Sequence, residues 1–194
     1  VKPWTYSITA LSHYRKFIEA NSDHYILAEK SDDIKRAKSE GKLAVAFDME
    51  GMCCLNNDLS MVKFYYDLGV RQMNFAYNLN NSAGGGCHDT DIGLTKFGKD
   101  VVAEMNRVGM VIDCSHNSYQ TTMEAMEISK HPIIFSHSNP RRIRDHERNI
   151  TDEQIKSCAK KGGVIGINGV YWFLDKEKHD IEMFVQHLDY VVQI

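Results

Sequence analysis

Two hydrophobic rhythms alternate along this chain. Short, nearly unbroken apolar runs at 43–49, 70–76, 110–114, 132–136 and 164–168 predict strands buried on both faces, since a strand with one wet face would alternate polar and apolar residues. Between the runs, apolar residues recur every three or four positions, as Phe97, Val101, Val102, Met105 and Val108 do, which gathers them on one face of a helix. Helices are predicted over 8–20, 31–40, from 57 or 58 to 68, over 95–108, 118–130 and 181–194, with another opening at Thr151 and a short extended piece at 24–28. The punctuation agrees. Asn57 or Asp58, and Thr151 with Glu153 and Gln154 behind it, carry the side chains that cap exposed helical N–H groups, and Gly41, Gly69 and Gly109 stand where helices stop.

Strand-helix units in succession imply a parallel sheet with right-handed crossovers, either open or closed into a barrel. An open dinucleotide-binding sheet would show a glycine-rich turn leading into a helix, whereas Gly84, Gly85 and Gly86 lead into the polar loop of Cys87, His88 and Asp89. The α/β fold expected is therefore a (β/α)8 TIM barrel. It is expected to be incomplete, with five strand-helix units readable, because closure takes eight strands and usually about 250 residues and this chain has 194. Residues 1–194 read as a single domain cut at both ends, since the first residue is Val1 and the amphipathic pattern of 181–194 stops without Gly, Asn or Pro.

Composition removes several function classes. Lys and Arg total 23 against 26 Asp and Glu, a balance that gives no basic field to gather nucleic acid or an anionic membrane. No apolar run reaches the roughly 18 residues of a transmembrane segment. The five cysteines, Cys53, Cys54, Cys87, Cys114 and Cys158, form no Cys-x-x-Cys pair and read as reduced thiols, with Cys114 buried in its strand. Localisation stays open: the cytoplasm is favoured, with periplasm or export open because a leader would lie ahead of Val1.

Three of the strand ends carry chemistry. Glu50 closes the run at 43–49, His116 follows the run at 110–114, and His137 follows the run at 132–136, which is the end where barrel enzymes keep their active sites. Taken singly, Glu50 reads better as a strand-end carboxylate pairing with a loop or a lysine, and each histidine as a core residue with satisfied ring nitrogens. Together they form a ligand set suited to zinc. His88 lies in the glycine-rich loop that overhangs this end, where flexibility argues against a preformed metal site and a substrate-facing loop is the better reading. His13, His24, His131, His146, His179 and His187 are expected at the surface. Arg141, Arg142, Arg144 and Arg148 form a charge run that by itself reads as solvated.

Six segments then resemble, in order, the membrane dipeptidase (renal dipeptidase) family of zinc peptidases: Asp48-Met49-Glu50-Gly51, the stretch from Gly93 to Gly98, the stretch from Glu104 to Met110, Asp113 to His116, Phe135 to Ser138, and Arg148-Asn149. The likeness covers nearly the whole chain. It implies a barrel of the metal-dependent hydrolase type and a dipeptidase that cleaves the peptide bond with a metal-activated water. The resemblance further implies two zinc ions bridged by Glu50, with His116 and His137 on one of them, and Arg148 holding the carboxylate of the dipeptide substrate. Many members carry a histidine where Tyr77 stands; Tyr77-Asn78 is similar to the bacterial members, and its hydroxyl can donate the same hydrogen bond to substrate. A homodimer is compatible with the family. Its His-x-Asp pair would precede Val1 and its proton-carrying Asp would follow Ile194, so no proton carrier is expected within this chain and the fragment alone is expected to be inactive. Two alternatives stay open: another two-metal amidohydrolase acting on a lactone, cyclic amide or phosphoester, which would not require Arg148, and a catalytically inactive metal-binding module.

Overall fold

Parallel pairing in strict chain order organises the molecule, whose computed structural model describes residues 4–194. Helix α1 (Trp4–Ala20) leads into β1 (Tyr25–Leu27), α2 (Ser31–Ser39) and β2 (Leu43–Val45), and β1 and β2 form a two-stranded parallel sheet of their own. The main sheet follows: β3 (Phe47–Glu50), α3 (Ser60–Asp67), β4 (Val70–Asn74), α4 (Lys96–Val108), β5 (Val111–Asp113), α5 (Tyr119–Ile128), β6 (Ile133–Phe135), α6 (Asp152–Lys160) and β7 (Val164–Ile165). Its five strands lie side by side as β3-β4-β5-β6-β7, all parallel. A short helix α7 (Tyr171–Leu174) and α8 (Ile181–Gln193) close the chain. This is the five-unit, incomplete α/β barrel that the hydrophobic rhythm predicts.

Register sorts the side chains into two faces. Met49 pairs with Met73, Met73 with Ile112, and Ile112 with Ile133; this row packs against Val62, Val101, Met105 and Ala125 from the helices. The alternate row holds Asp48 opposite Gln72, and Glu50 opposite Asn74, which in turn lies opposite Asp113. Strand alternation therefore gives the sheet an apolar side under the helices and a polar concave side. No helix among the described residues is long and apolar enough to cross a membrane.

The helix caps follow their sequence signals. Thr95 accepts a bond from the Gly98 N–H, Ser118 from Thr121, and Thr151 with Gln154 forms a reciprocal capping box. At the third helix Asp58 accepts the Ser60 N–H at 2.9 Å, although the N-cap position is Leu59, and α3 starts later than expected because Asn56 and Asn57 are left-handed and cannot join a right-handed helix. The run 43–49 is not one strand. It changes partner at Ala46, pairing with β1 before it and with β4 after it, and the pairing with β4 shifts register between Phe47 and Asp48; an apolar run carries no mark of such a switch. At the other edge, only two residues of 164–168 keep regular ladder pairing; Gly166 still bonds the end of β6 irregularly, with its N–H on Phe135 O and the Ser138 N–H on its carbonyl. A Cβ at Gly166 would stand 2.1 Å from the Ser136 carbonyl, so only glycine fits there.

His187 departs from its expected place at the surface. It is fully buried beside Met183 on the inward stripe of α8, and its Nε2 bonds the Leu174 carbonyl at 2.8 Å. His146 is half-buried as well: its ring packs 4.8 Å from that of Phe173, and its Nδ1 accepts the Arg148 N–H.

Candidate metal centre

Glu50, His116 and His137 meet at the carboxyl ends of β3, β5 and β6. Their ligand atoms all lie within 4.8 Å of one another, and they are the one such cluster of His, Cys, Asp or Glu among the described residues. The His116 and His137 Nε2 atoms are 2.8 Å apart, and Glu50 Oε1 lies 3.5 and 3.3 Å from them. Neighbouring ligands of a tetrahedral ion with bonds of about 2.0–2.1 Å sit roughly 3.3 Å apart, so the Glu50 separations match and the imidazole pair is slightly tight.

The hydrogen-bond directions sharpen the fit. Asn78 Oδ1 lies 2.7 Å from His116 Nδ1, and Ser136 Oγ lies 2.7 Å from His137 Nδ1. With each Nδ1 hydrogen given to an oxygen behind it, two neutral rings turn Nε2 lone pairs on a carboxylate oxygen, that of His116 also facing Arg148 Nη2 at 3.2 Å. Three lone pairs converging at these distances call for a cation or a shared proton between them, and a zinc ion suits the donor set. Burial, then the neighbouring His116 and Arg148, pulls His137 below the usual histidine range, which favours the neutral ring. Where a shared proton fills that role, the hydrogen bond from His116 holds Glu50 below the usual carboxylate range. Asp48, hemmed in on the concave face although solvent reaches it, is pushed up to about 7 by desolvation and by the charges of Asp113 and Glu50.

Local backbone strain aims the site. His116 and Asn78 both adopt left-handed conformations, with φ of 69° and 66°, which non-glycine residues adopt only when their surroundings over-determine them. The glycine-rich loop supplies part of that constraint. The Cys87 N–H bonds the His116 carbonyl, Gly85 N–H bonds Thr121 Oγ1, and Gly86 N–H bonds Asn80 Oδ1. This loop is stitched down rather than flexible, and a Cβ at Gly86 would meet the Asn78 carbonyl carbon at 2.2 Å. His88 borders the site without joining the cluster; its Nδ1 pairs with Glu147 and ties this loop to the one carrying Arg148.

Arg148 is not part of a solvated run. It is 4% exposed, its Nη2 lies 3.2 Å from His116 Nε2 and 3.3 Å from the His137 carbonyl, and its guanidinium carbon stands 5.3 Å from the centre of the Phe173 ring. Asn149 anchors the loop beneath it by donating to the Arg144 and Phe173 carbonyls at 2.8 and 2.9 Å. Arg141 lies outside this arrangement, paired with Asp145. Tyr77 stacks on the His116 ring, centroids 4.4 Å apart and 26° from parallel, with 53% of its surface exposed. A cavity of about 140 Å³ beside Arg148 and His116 is lined by Cys87, Asn117, Ser138 and Glu147. Residues that went unassigned in the sequence are Asn78, Asp113, Ser136 and Phe173. Two of these flank the histidines in the Asp-x-Ser-His and Phe-Ser-His segments, which was the signal available.

The profile of one family, "Membrane dipeptidase (Peptidase family M19)", matches residues 5–194. An uncharacterized dipeptidase of Schizosaccharomyces pombe is 33% identical over 181 residues, covering 90% of this chain and 43% of the relative. Dipeptidase tcpJ of Claviceps purpurea is 34% identical over 182 residues, covering 91% of this chain and 43% of the relative. Among solved structures, an amidohydrolase from Pseudomonas aeruginosa superposes with a TM-score of 0.94 at 32% identity, over 100% of this chain and 60% of that one. The chain thus spans less than half the length of these curated relatives.

Proposed function

This chain belongs to the membrane dipeptidase family of metallopeptidases, and on that premise we propose that it forms the zinc-binding and carboxylate-binding part of a dipeptidase. The observation that carries this reading is the convergence of Glu50, His116 and His137 on one point with a buried arginine beside it. His116, His137 and Glu50 would hold a zinc ion, and the Glu50 carboxylate, with two oxygens, could serve a second ion as well. When bound, such ions acidify a water and polarise the scissile carbonyl of the substrate.

The remaining work falls to this chain's own side chains. Arg148, planar and held by its loop, offers two parallel N–H groups to the terminal carboxylate of a dipeptide. Desolvation pulls its pKa below the ordinary arginine value, and a carboxylate arriving beside it would supply the counter-charge. Tyr77, exposed and stacked on His116, can donate its hydroxyl to a substrate carbonyl. A barrel amidohydrolase for uncharged cyclic substrates would have no use for a buried guanidinium at this place, which favours the dipeptide reading.

Zinc competition against a chromogenic chelator tests the metal, with His116→Ala and His137→Ala each expected to abolish tight uptake. A substrate panel on the full-length enzyme tests the rest. Free dipeptides should be hydrolysed in preference to their C-terminal amides, to lactones and to phosphoesters; equal turnover of acid and amide would favour the broader amidohydrolase reading.

A further inference from the structure

Behind His137 stands a chain of donors whose direction is forced. Asp113 is fully buried and belongs to β5, the strand next to the one that leads to His137. Its Oδ1 accepts the Ser115 and Ser136 N–H groups at 2.9 and 3.0 Å; its Oδ2 accepts Gln72 Nε2 at 3.3 Å and the Ser136 hydroxyl. With three N–H donors turned on Asp113 and the Ser136 hydroxyl spending its one hydrogen there as well, that hydroxyl offers only lone pairs to His137 Nδ1. The imidazole must then carry its hydrogen on Nδ1. Were the hydroxyl free to rotate, it could donate to Nδ1 instead, which would place the ring hydrogen on Nε2 and block coordination. Ser115 steadies the same unit by accepting the His137 N–H at 3.1 Å while lying 3.2 Å from Ser136 Oγ.

We propose that Asp113, acting through the Ser136 hydroxyl, is a positioning residue that locks His137 in its Nδ1–H tautomer and so aims the Nε2 lone pair at the metal point. The inference rests on the metal-binding reading above. Asn78 serves His116 in the matching way, so each imidazole has its own support from a different strand-end loop. Outer partners of this kind fix ring orientation and typically change metal affinity by about 10- to 100-fold when lost.

Asp113→Asn is the decisive variant because it reverses the chain without changing its shape. The two backbone N–H groups keep the amide oxygen at the Oδ1 position, so the new NH₂ points at Ser136 and forces its hydroxyl to donate to His137. Nitrogen-15 NMR of the metal-free protein, labelled at histidine and held near pH 8, reads the tautomer directly. The unaltered protein should show His137 as Nδ1–H and Asp113→Asn as Nε2–H, with zinc affinity lower by about 10- to 100-fold. Ser136→Ala, which removes the acceptor, should lose the Nδ1–H signature, and Ser136→Thr should restore both signature and affinity. Should Asp113→Asn fail to fold, the Ser136 pair decides alone. An unchanged His137 tautomer in Ser136→Ala, or equal affinity loss in Ser136→Ala and Ser136→Thr, would overturn the proposal. If the unaltered protein took up no zinc while the tautomer still switched, the metal reading would fall and the relay would stand as a tautomer lock.

Discussion

Arg148→Lys separates carboxylate recognition from metal binding. Lysine keeps the positive charge and much of the aliphatic stem, but it replaces a planar two-pronged donor with a point charge. In this structure Arg148 is buried between the His137 carbonyl and the Phe173 ring, a place with little water to compensate for a missing bond. One charge-assisted hydrogen bond is worth about 1.5–3 kcal/mol, which corresponds to roughly a 10- to 150-fold fall in kcat/KM for a free dipeptide at about 1.4 kcal/mol per tenfold. The matched assay uses the same dipeptide as its C-terminal amide in the full-length enzyme. The amide presents no carboxylate, so its kcat/KM should change little and the preference for acid over amide should collapse. Zinc content should stay at the level of the unaltered protein, because no nitrogen of Arg148 is a ligand. A preserved acid-to-amide ratio refutes the grip, and loss of zinc on substitution would mean that Arg148 supports the metal cluster instead.

Gly86→Ala would drive a methyl group into the Asn78 backbone, 2.2 Å away, moving the residue that holds the His116 ring; zinc affinity should drop by about tenfold while circular dichroism stays native, and unaltered affinity would show that the loop does not orient His116. His187, buried and pulled below its usual range first by desolvation, must charge when the chain unfolds. The unfolded state therefore binds more protons, so stability should fall as pH drops below about 6.5 and go on falling until the lower folded-state value is passed. His187→Gln, which retains a donor for Leu174, should shallow that slope in urea melts between pH 7 and 5, and an identical slope would remove His187 from the account. Among the described residues the two outer strands of the main sheet, β3 and β7, each have one edge without a strand partner, and Val164 is 65% exposed on β7. The 194-residue chain alone should self-associate in sedimentation experiments and Val164→Lys should weaken that association; a monomer at all concentrations would contradict the edge argument.

What could be read in the sequence and what could not divide along a physical line. Continuous apolar runs announce strands covered on both faces, and a residue just past such a run is placed at the sheet's carboxyl end whatever its partners are. That is why Glu50, His116 and His137 stand out as a set in the sequence. Partner exchange leaves no such trace: Leu43–Val45 and Phe47–Glu50 form one apolar run but belong to two sheets, because alternation and burial are alike whichever neighbour a strand pairs with. His187 is misread in the sequence for a related reason, since a histidine on an inward stripe looks polar in one dimension, yet here it is buried with its Nε2 on the Leu174 carbonyl.

Hydrogen-bond direction is the least legible level of all. Asp113, Ser115 and Ser136 are ordinary small polar residues in sequence, and their roles come from a count of hydrogens across two adjacent strands. The count also explains why the segments before the two histidines are built differently. His116, turned out of the strand by a φ of 69°, reaches back to Asn78 on the loop after β4. His137 instead leans on the serine just before it, whose polarity is set by Asp113 two strand ends from Glu50. In the proposed site each imidazole draws its orientation from the strand next door, so register between β4, β5 and β6 would set the geometry of the two histidines as directly as their own positions do.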